Sequence, residues 1–136
     1  MTDEQELAQL ADGSDDEVAE KIHAAGTQEV LDGVFKGMPA RFQPDKASGV
    51  DAQVQWLVSD SGEEHPYAVT VAGGTCTTER ARVESPRVTL STDVVSFARL
   101  MTGKAQGPQL YMAGKLKIQG DLMLAQRMTT FFAPLS

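Results

Sequence analysis

The chain has 136 residues, of which 41% are hydrophobic, and its formal net charge is −7. That length suits one domain with its own core, and no apolar run reaches the roughly 20 residues needed to cross a membrane. A single cysteine, Cys76, excludes an intrachain disulfide, and the acidic N-terminus is the reverse of a signal peptide. We therefore expect one cytoplasmic domain.

Charge is unevenly distributed along the chain. Residues 1–20 contain eight acidic residues and no base, whereas residues 80–136 contain three acids and eight bases. The acidic, polar start predicts a mobile arm over residues 1–13, followed by a single domain over residues 14–136. The basic half is compatible with an anionic membrane surface. Its bases do not cluster and no aromatic residues interleave with them, so no nucleic-acid binding is expected.

Two helices are predicted in the first third of the chain. Ser14–Glu17 is a capping box, which begins a helix that ends at Gly26. Thr27 is expected to cap a second helix, and Gly37 and Pro39 are expected to end it.

From Val50 onward the hydrophobic period changes from about 3.6 residues to 2, which indicates β-strands. Gly73-Gly74 is a two-residue hairpin signal between two of these strands. Strands are predicted over residues 50–59, 67–72, 75–82 and 87–91, followed by helices over residues 93–102 and 108–113.

The C-terminal segment predicts a last strand, a glycine break and a last helix. In the strand, Leu116 and Ile118 point to one face; Gly120 then breaks it, and Asp121 caps the helix. The apolar face of that helix consists of Leu124, Ala125, Met128, Phe131 and Phe132. The separation of helices from strands predicts an α+β domain, a mainly antiparallel sheet with helices packed on one face.

Four stretches of the sequence occur in an order and spacing that are typical of one family. The first two are Phe35-x-Gly-Met-Pro-x-x-Phe42 and Ala47-x-Gly49. The third is Ser85-Pro-x-Val-Thr-Leu90, followed by Asp93 and by Leu100-Met-Thr-Gly-Lys104. The fourth is Gly114-Lys-Leu-Lys-Ile-Gln-Gly-Asp-Leu-Met-Leu-Ala125. Together they resemble the sterol carrier protein type 2 family over about residues 28–133. The resemblance implies a five-stranded sheet covered by helices, with an apolar tunnel between the two layers.

The resemblance also implies a function, the non-enzymatic binding and transfer of a fatty acid, fatty acyl-CoA, phospholipid or sterol. The expected partners are this hydrophobic lipid and, in transient contact, an anionic membrane surface or an acyl-handling enzyme; no cofactor is expected. The protein is expected to be a monomer or a weak dimer. From the strand alternation and the helix faces, the expected ligand-binding residues are Phe35, Val54, Trp56, Leu100, Met101, Leu110, Met112, Leu116, Ile118, Leu124, Met128 and Phe131. Lys115 or Lys117 is a candidate for receiving a headgroup.

The sequence contains no recognisable enzymatic constellation. His23 and His65 have no spaced metal-ligand partners, and Cys76 has no neighbouring His or Asn that would activate a thiolate. Neither a nucleophile elbow nor a phosphate-binding loop occurs. Two alternatives to a lipid carrier stay open, a ligand-free interaction or dimerisation module and an accessory domain of an acyl-handling enzyme.

Overall fold

The computed structural model describes residues 9–131, apart from the side chains of Thr129 and Thr130. Residues 1–8 of the predicted arm, and Phe132 of the predicted helix face, lie outside the described residues. The helices are α1 (Asp15–Ala25), α2 (Thr27–Arg41), α3 (Val94–Met101), α4 (Gly107–Met112) and α5 (Leu122–Phe131), and the strands are β1 (Ala52–Asp60), β2 (Glu63–Ala72), β3 (Thr75–Glu79), β4 (Val88–Asp93) and β5 (Leu116–Gly120). A 3₁₀ turn covers Pro44–Ala47.

The strands form one sheet in the order β3-β2-β1-β4-β5. β1 and β4 are parallel, and the other neighbouring pairs are antiparallel. Together with the flanking helices this confirms the predicted α+β class and the mainly antiparallel sheet. Because β1 and β4 run parallel, the chain needs a crossover between them, and β2, β3 and the segment after β3 provide it.

A row of side chains across four strands defines the inner face of the sheet. Trp56 on β1 lies opposite Tyr67 on β2 and beside Leu90 on β4, which lies opposite Ile118 on β5. Since neighbouring strands in register point equivalent side chains to the same face, these four residues share one surface. The predicted alternation of β1 is confirmed, because Val54, Trp56 and Val58 are all buried.

Helices α2 and α3 cover the β1–β2 side of this face with aromatic side chains. The Phe35 ring of α2 stacks on Tyr67 and on the Phe97 ring of α3, with centroid distances of 4.1 Å and 5.3 Å. Phe97 and Trp56 also form a T-shaped contact, with their ring centroids 5.3 Å apart. Aromatic contacts of this kind add to the free energy gained from burial alone.

The outer face of the sheet is crossed by the segment that leaves β3. The side-chain amide of Gln55 donates to the carbonyl oxygens of Tyr67 at 3.0 Å and Ala81 at 3.1 Å, and its oxygen accepts a hydrogen bond from the Val83 N–H. Gln55 is therefore buried although the alternation of β1 assigns it to the polar face. The third strand ends at Glu79 rather than at residue 82, because the chain leaves the sheet edge there to cross over Gln55.

The predicted cap and end of α2 are wrong. The N-cap is Gly26, and Thr27 is the first helical residue. The Thr27 hydroxyl does not cap the helix but donates a hydrogen bond to Asp60 Oδ2 at 2.6 Å. The helix continues past Pro39 to Arg41. Proline has no N–H to donate to the carbonyl oxygen four residues earlier, that of Phe35. The Thr78 hydroxyl of β3 donates to that oxygen at 2.7 Å, which compensates the helix for the missing bond.

Other predicted turns and caps are confirmed. Ser14 caps α1 by accepting a hydrogen bond from the Glu17 N–H, and Asp121 caps α5 by accepting one from the Leu124 N–H at 3.0 Å. Gly73 and Gly74 connect β2 to β3 with φ angles of 58° and 79°, as a two-residue hairpin turn requires. The second strand begins at Glu63, four residues before its predicted start.

Residues 9–13, the described part of the predicted arm, contact the domain. Ala11 is buried in the hydrophobic core. Asp12 forms an ion pair with Lys104, and the Gly13 carbonyl oxygen accepts a hydrogen bond from the Arg99 guanidinium at 3.0 Å. Among residues 9–131, the structure shows no helix that is both long enough and apolar enough to cross a membrane.

Candidate functional site

A cavity of about 550 Å³ lies against the β4–β5 side of the inner face, next to the aromatic cluster. The end of α2, the strands β1, β4 and β5, α3, the loop after it, α4 and α5 all contribute to its wall. This volume falls within the range of about 300–1,000 Å³ that is usual for small-molecule sites. The lining residues are Met38, Arg41, Trp56, Leu90, Leu100, Met101, Gly103, Ala105, Gln106, Gly107, Pro108, Tyr111, Met112, Leu116, Ile118, Leu122, Ala125, Gln126 and Met128.

The structure brings seven of the twelve predicted ligand-binding residues together in this wall. They are Trp56, Leu100, Met101, Met112, Leu116, Ile118 and Met128. The other five, Phe35, Val54, Leu110, Leu124 and Phe131, are buried in the core outside the lining of this cavity. Phe35, for example, is enclosed by the rings stacked on it. Periodicity tells which side chains point inward, but not whether they meet another side chain or open space.

Sequence reasoning missed a second group of lining residues. Met38 belongs to the apolar stripe of α2, and Leu90 lies on the inner face of β4, so both could have been found from periodicity. The loop over residues 103–106 has no periodic signal, and only its position between α3 and α4 brings it to the cavity. Lys115 and Lys117, the candidate headgroup receptors, are exposed and lie outside this lining.

Trp56 lines the cavity and carries a buried hydrogen-bond donor. The residue is 4% exposed, and among the described residues its indole N–H has no hydrogen-bond partner. A buried donor without a partner costs about 1–3 kcal/mol, so such groups usually mark a functional contact or a site of strain. Trp56 is also the one tryptophan of the whole chain, which makes it a specific reporter of this cavity.

Arg41 is the only charged residue among the described residues that line the cavity. It is the last residue of α2, which continues for two residues beyond Pro39. The remainder of the wall is largely Leu, Ile, Met, Ala and glycine backbone. Methionine is the flexible component, since its three rotatable bonds and polarisable sulfur adapt to occupants of different shape. The wall therefore suits a long apolar group that carries one polar end.

The cavity reaches the protein surface at one side. Met112 is 86% exposed, and Tyr111 and Leu122 are 49% and 44% exposed, yet all three are lining residues. They come from the end of α4 and the start of α5, which bound an opening between these helices. An occupant could enter here without unfolding the core.

The single cysteine and both histidines lie outside the lining of the cavity. Burial raises the pKa of the Cys76 thiol to about 11, so the thiolate needed for nucleophilic attack is scarce at neutral pH. His23 Nε2 lies 2.7 Å from Asp60 Oδ1, and His65 Nδ1 lies 3.2 Å from Gln28 Oε1. Within residues 9–131, the structure groups no three His, Cys, Asp or Glu side chains as metal ligands would be grouped.

A concave, mostly apolar cavity with a few polar groups is the usual form of a small-molecule binding site. The chain belongs to the SCP-2 sterol transfer family, whose model matches residues 35–133. This confirms the resemblance noted in the four sequence stretches. None of the curated proteins compared with this sequence matches it.

Solved structures of this fold include both free-standing proteins and a piece of a larger enzyme. Sterol carrier protein 2 from Yarrowia lipolytica in its apo form is 18% identical, with a TM-score of 0.61, over 75% of this chain and 85% of that one. Palmitated SCP2L2 from Aedes aegypti is 17% identical, with a TM-score of 0.61, over 76% and 95%. The inverting sec-alkylsulfatase Pisa1 from Pseudomonas sp. is 21% identical, with a TM-score of 0.69, over 78% of this chain. The match spans only 17% of the sulfatase chain. At these identities the likeness concerns the fold alone.

Proposed function

We propose that this protein is a non-enzymatic lipid carrier that binds one lipid molecule in the cavity beside Trp56. The observation that supports the proposal best is the wall itself, about 550 Å³ of space to which nine Leu, Ile and Met side chains contribute, with an opening between α4 and α5. Membership of a sterol transfer family agrees with lipid binding and transfer in general. Action in the cytoplasm, as expected from the sequence, is part of the same proposal.

The driving force for binding would be burial of the lipid chain. Each methylene group removed from water contributes about 0.8 kcal/mol, so a long chain binds firmly even where no specific polar contact is made. Such a site selects weakly among chains of different length, since its methionines adjust their rotamers around the occupant. Broad selectivity among lipids is therefore part of the proposal.

Two polar groups of the wall favour an amphiphile whose polar end contains oxygen. An indole N–H can only donate a hydrogen bond, so the group that satisfies Trp56 has to be an acceptor. Arg41 places a guanidinium in the same wall, a group that can bind a carboxylate or phosphate through charge-assisted hydrogen bonds. Among the candidate ligands, we rank a fatty acid or the acyl part of a fatty acyl-CoA above a phospholipid tail and a sterol.

The proposal is tested by titrating delipidated protein with a fluorescent fatty acid and competing it with unlabelled palmitate, acyl-CoA and sterol. Met101→Glu and Val95→Glu provide a matched pair, because both residues are partly buried on α3 and only Met101 lines the cavity. We expect saturable uptake by the wild type and by Val95→Glu. Met101→Glu should bind at least about tenfold more weakly, since it places a charge where the chain would lie. Equal affinities of the two variants, or no uptake by folded wild type, would contradict the proposal.

A rival function is that of an accessory domain of an acyl-handling enzyme. The fold likeness to one part of the alkylsulfatase supports this alternative. It predicts catalytic activity that appears only after a separate enzyme is added. A ligand-free dimerisation module, the other rival, predicts a concentration-dependent molecular size together with no lipid uptake.

A further inference from the structure

The exposed apolar surface of the described chain is concentrated around the opening of the cavity. Four large hydrophobic side chains are exposed among residues 9–131, namely Tyr111, Met112, Leu122 and Met123. Three of them line the cavity, and Met123 follows Leu122 in the first turn of α5. We call these four residues the rim. Single exposed hydrophobic residues are common, but a group of them around one opening marks a contact surface.

The segment that carries the rim is positively charged although the whole chain is acidic. Residues 101–131 contain four bases against one acid, Asp121, in a protein whose net charge is −7, and one of these bases, Lys104, is paired with Asp12. Asp121 is already balanced, because its Oδ2 lies 3.2 Å from Arg87 Nε. Lys115, Lys117 and Arg127 are exposed. A partner of the rim should therefore combine an apolar interior with a negative surface.

We propose that the rim is a docking surface for an anionic lipid bilayer, which positions the cavity opening against the membrane. Methionine and leucine side chains can enter the boundary between headgroups and acyl chains, and Tyr111 suits the same interface. The flanking bases would meet lipid phosphates or carboxylates. The inference rests on the proposed lipid-carrier function, because a lipid could then move between the bilayer and the cavity without crossing water.

A second copy of the chain fits the rim less well. In a symmetric dimer the same patch meets itself, so the bases beside each rim would face those of the other copy. Like charges brought together in this way oppose association. An anionic bilayer presents the opposite charge to the same bases.

Vesicle flotation tests the inference, with phosphatidylcholine vesicles that contain or lack phosphatidylserine. Met123→Glu is the decisive variant, since Met123 is 75% exposed and lies outside the cavity lining. Thr77→Glu is its control; it adds the same charge to an exposed position on β3, at the opposite edge of the sheet. Both variants are first checked for fatty-acid uptake in solution, which neither should alter.

We expect the wild type and Thr77→Glu to float with the phosphatidylserine vesicles, and added salt should weaken this binding. Met123→Glu should bind these vesicles at least about tenfold more weakly, because it removes an inserted apolar group and adds a repelled charge. Absence of wild-type flotation, or equal losses in the two variants, would overturn the inference. Dimerisation that Met123→Glu abolishes, without flotation, would also overturn it and assign the rim to a second copy. Failure of the wild type to take up fatty acid in solution would instead overturn the proposed function.

Discussion

The two halves of the inner sheet face are built from the same strand pattern but are filled differently. Over β1 and β2, Tyr67 is covered by the stacked rings of Phe35 and Phe97, and the three side chains are fully buried. Over β4 and β5, Leu90 and Ile118 face the cavity instead. Rigid rings at stacking distance close one half, whereas flexible methionines surround open space in the other. The difference suggests that one half supplies stability and the other supplies binding.

The largest loss of stability should come from removing a ring from the aromatic cluster over β1 and β2. Phe35→Ala removes a fully buried ring that contacts three other aromatic side chains. We expect the free energy of unfolding to fall by about 3–5 kcal/mol, as for other buried phenylalanines replaced by alanine. Chemical denaturation followed by far-UV circular dichroism measures this change. Met101→Ala in the cavity wall is the comparison, and it should cost about 1 kcal/mol or less because Met101 is only partly buried.

A loss of stability in Met101→Ala as large as that in Phe35→Ala would contradict the division between the two halves. It would mean that the wall of the cavity is packed as tightly as the aromatic cluster.

A smaller effect, on ligand affinity, should follow from removing the indole N–H of Trp56 while keeping the shape of the side chain. Because the chain has a single tryptophan, expression with 3-benzothienylalanine replaces only this residue and puts sulfur in place of the N–H. If the N–H binds the polar end of the lipid, affinity for dodecanoic acid should fall about five- to tenfold. Competition against a fluorescent fatty acid measures the change. Dodecane, which has no hydrogen-bond acceptor, serves as the control and should bind equally well to the wild type and to the substituted protein. Equal losses of affinity for dodecane and dodecanoic acid would assign the effect to altered packing.

The smallest expected effect is a change of protein stability with pH. It arises from the contacts that join α1 and α2 to Asp60 at the end of β1. Burial acts to raise the pKa of Asp60, but hydrogen bonds from Thr27 and His23 outweigh it, so this pKa lies below its ordinary value of 3.8. A carboxyl group with a lowered pKa in the folded state stabilises the protein above its unfolded-state pKa. That contribution is lost as the pH falls through the lower, folded-state value.

Thermal unfolding of the wild type and Asp60→Asn between pH 6 and pH 3 tests this expectation. The stability difference between the two proteins should be largest near neutral pH and should shrink as the pH falls below about 4. A constant difference over the whole range would show that the charge of Asp60 does not contribute.

Much of the fold could be predicted from the sequence because local signals agreed with the tertiary structure. Ser14 and Asp121 cap helices where their positions indicate, and the Gly73-Gly74 turn joins β2 to β3. The errors arose where a distant residue compensates for a local break. Pro39 does not end α2 because Thr78, on another element, bonds the carbonyl oxygen that proline leaves without a helix partner.

The candidate site was harder to predict than the fold. Leu116 and Leu124 both belong to periodic apolar patterns, yet only Leu116 lines the cavity, because its position on β5 faces open space rather than a packed neighbour. Arg41 enters the wall only because α2 continues past its proline. Such features depend on how several elements meet, and no local spacing encodes them.

The central claim is that the cavity beside Trp56 holds a lipid, and the emission of this single tryptophan tests it most directly. Delipidated protein is titrated with palmitate while the indole fluorescence is recorded, with Val95→Glu and Met101→Glu measured in parallel. We predict a saturable change in emission at one palmitate per chain in the wild type and in Val95→Glu, and no saturable change in Met101→Glu over the same range. Unchanged emission in the folded wild type, or the same titration curve in Met101→Glu, would contradict the account.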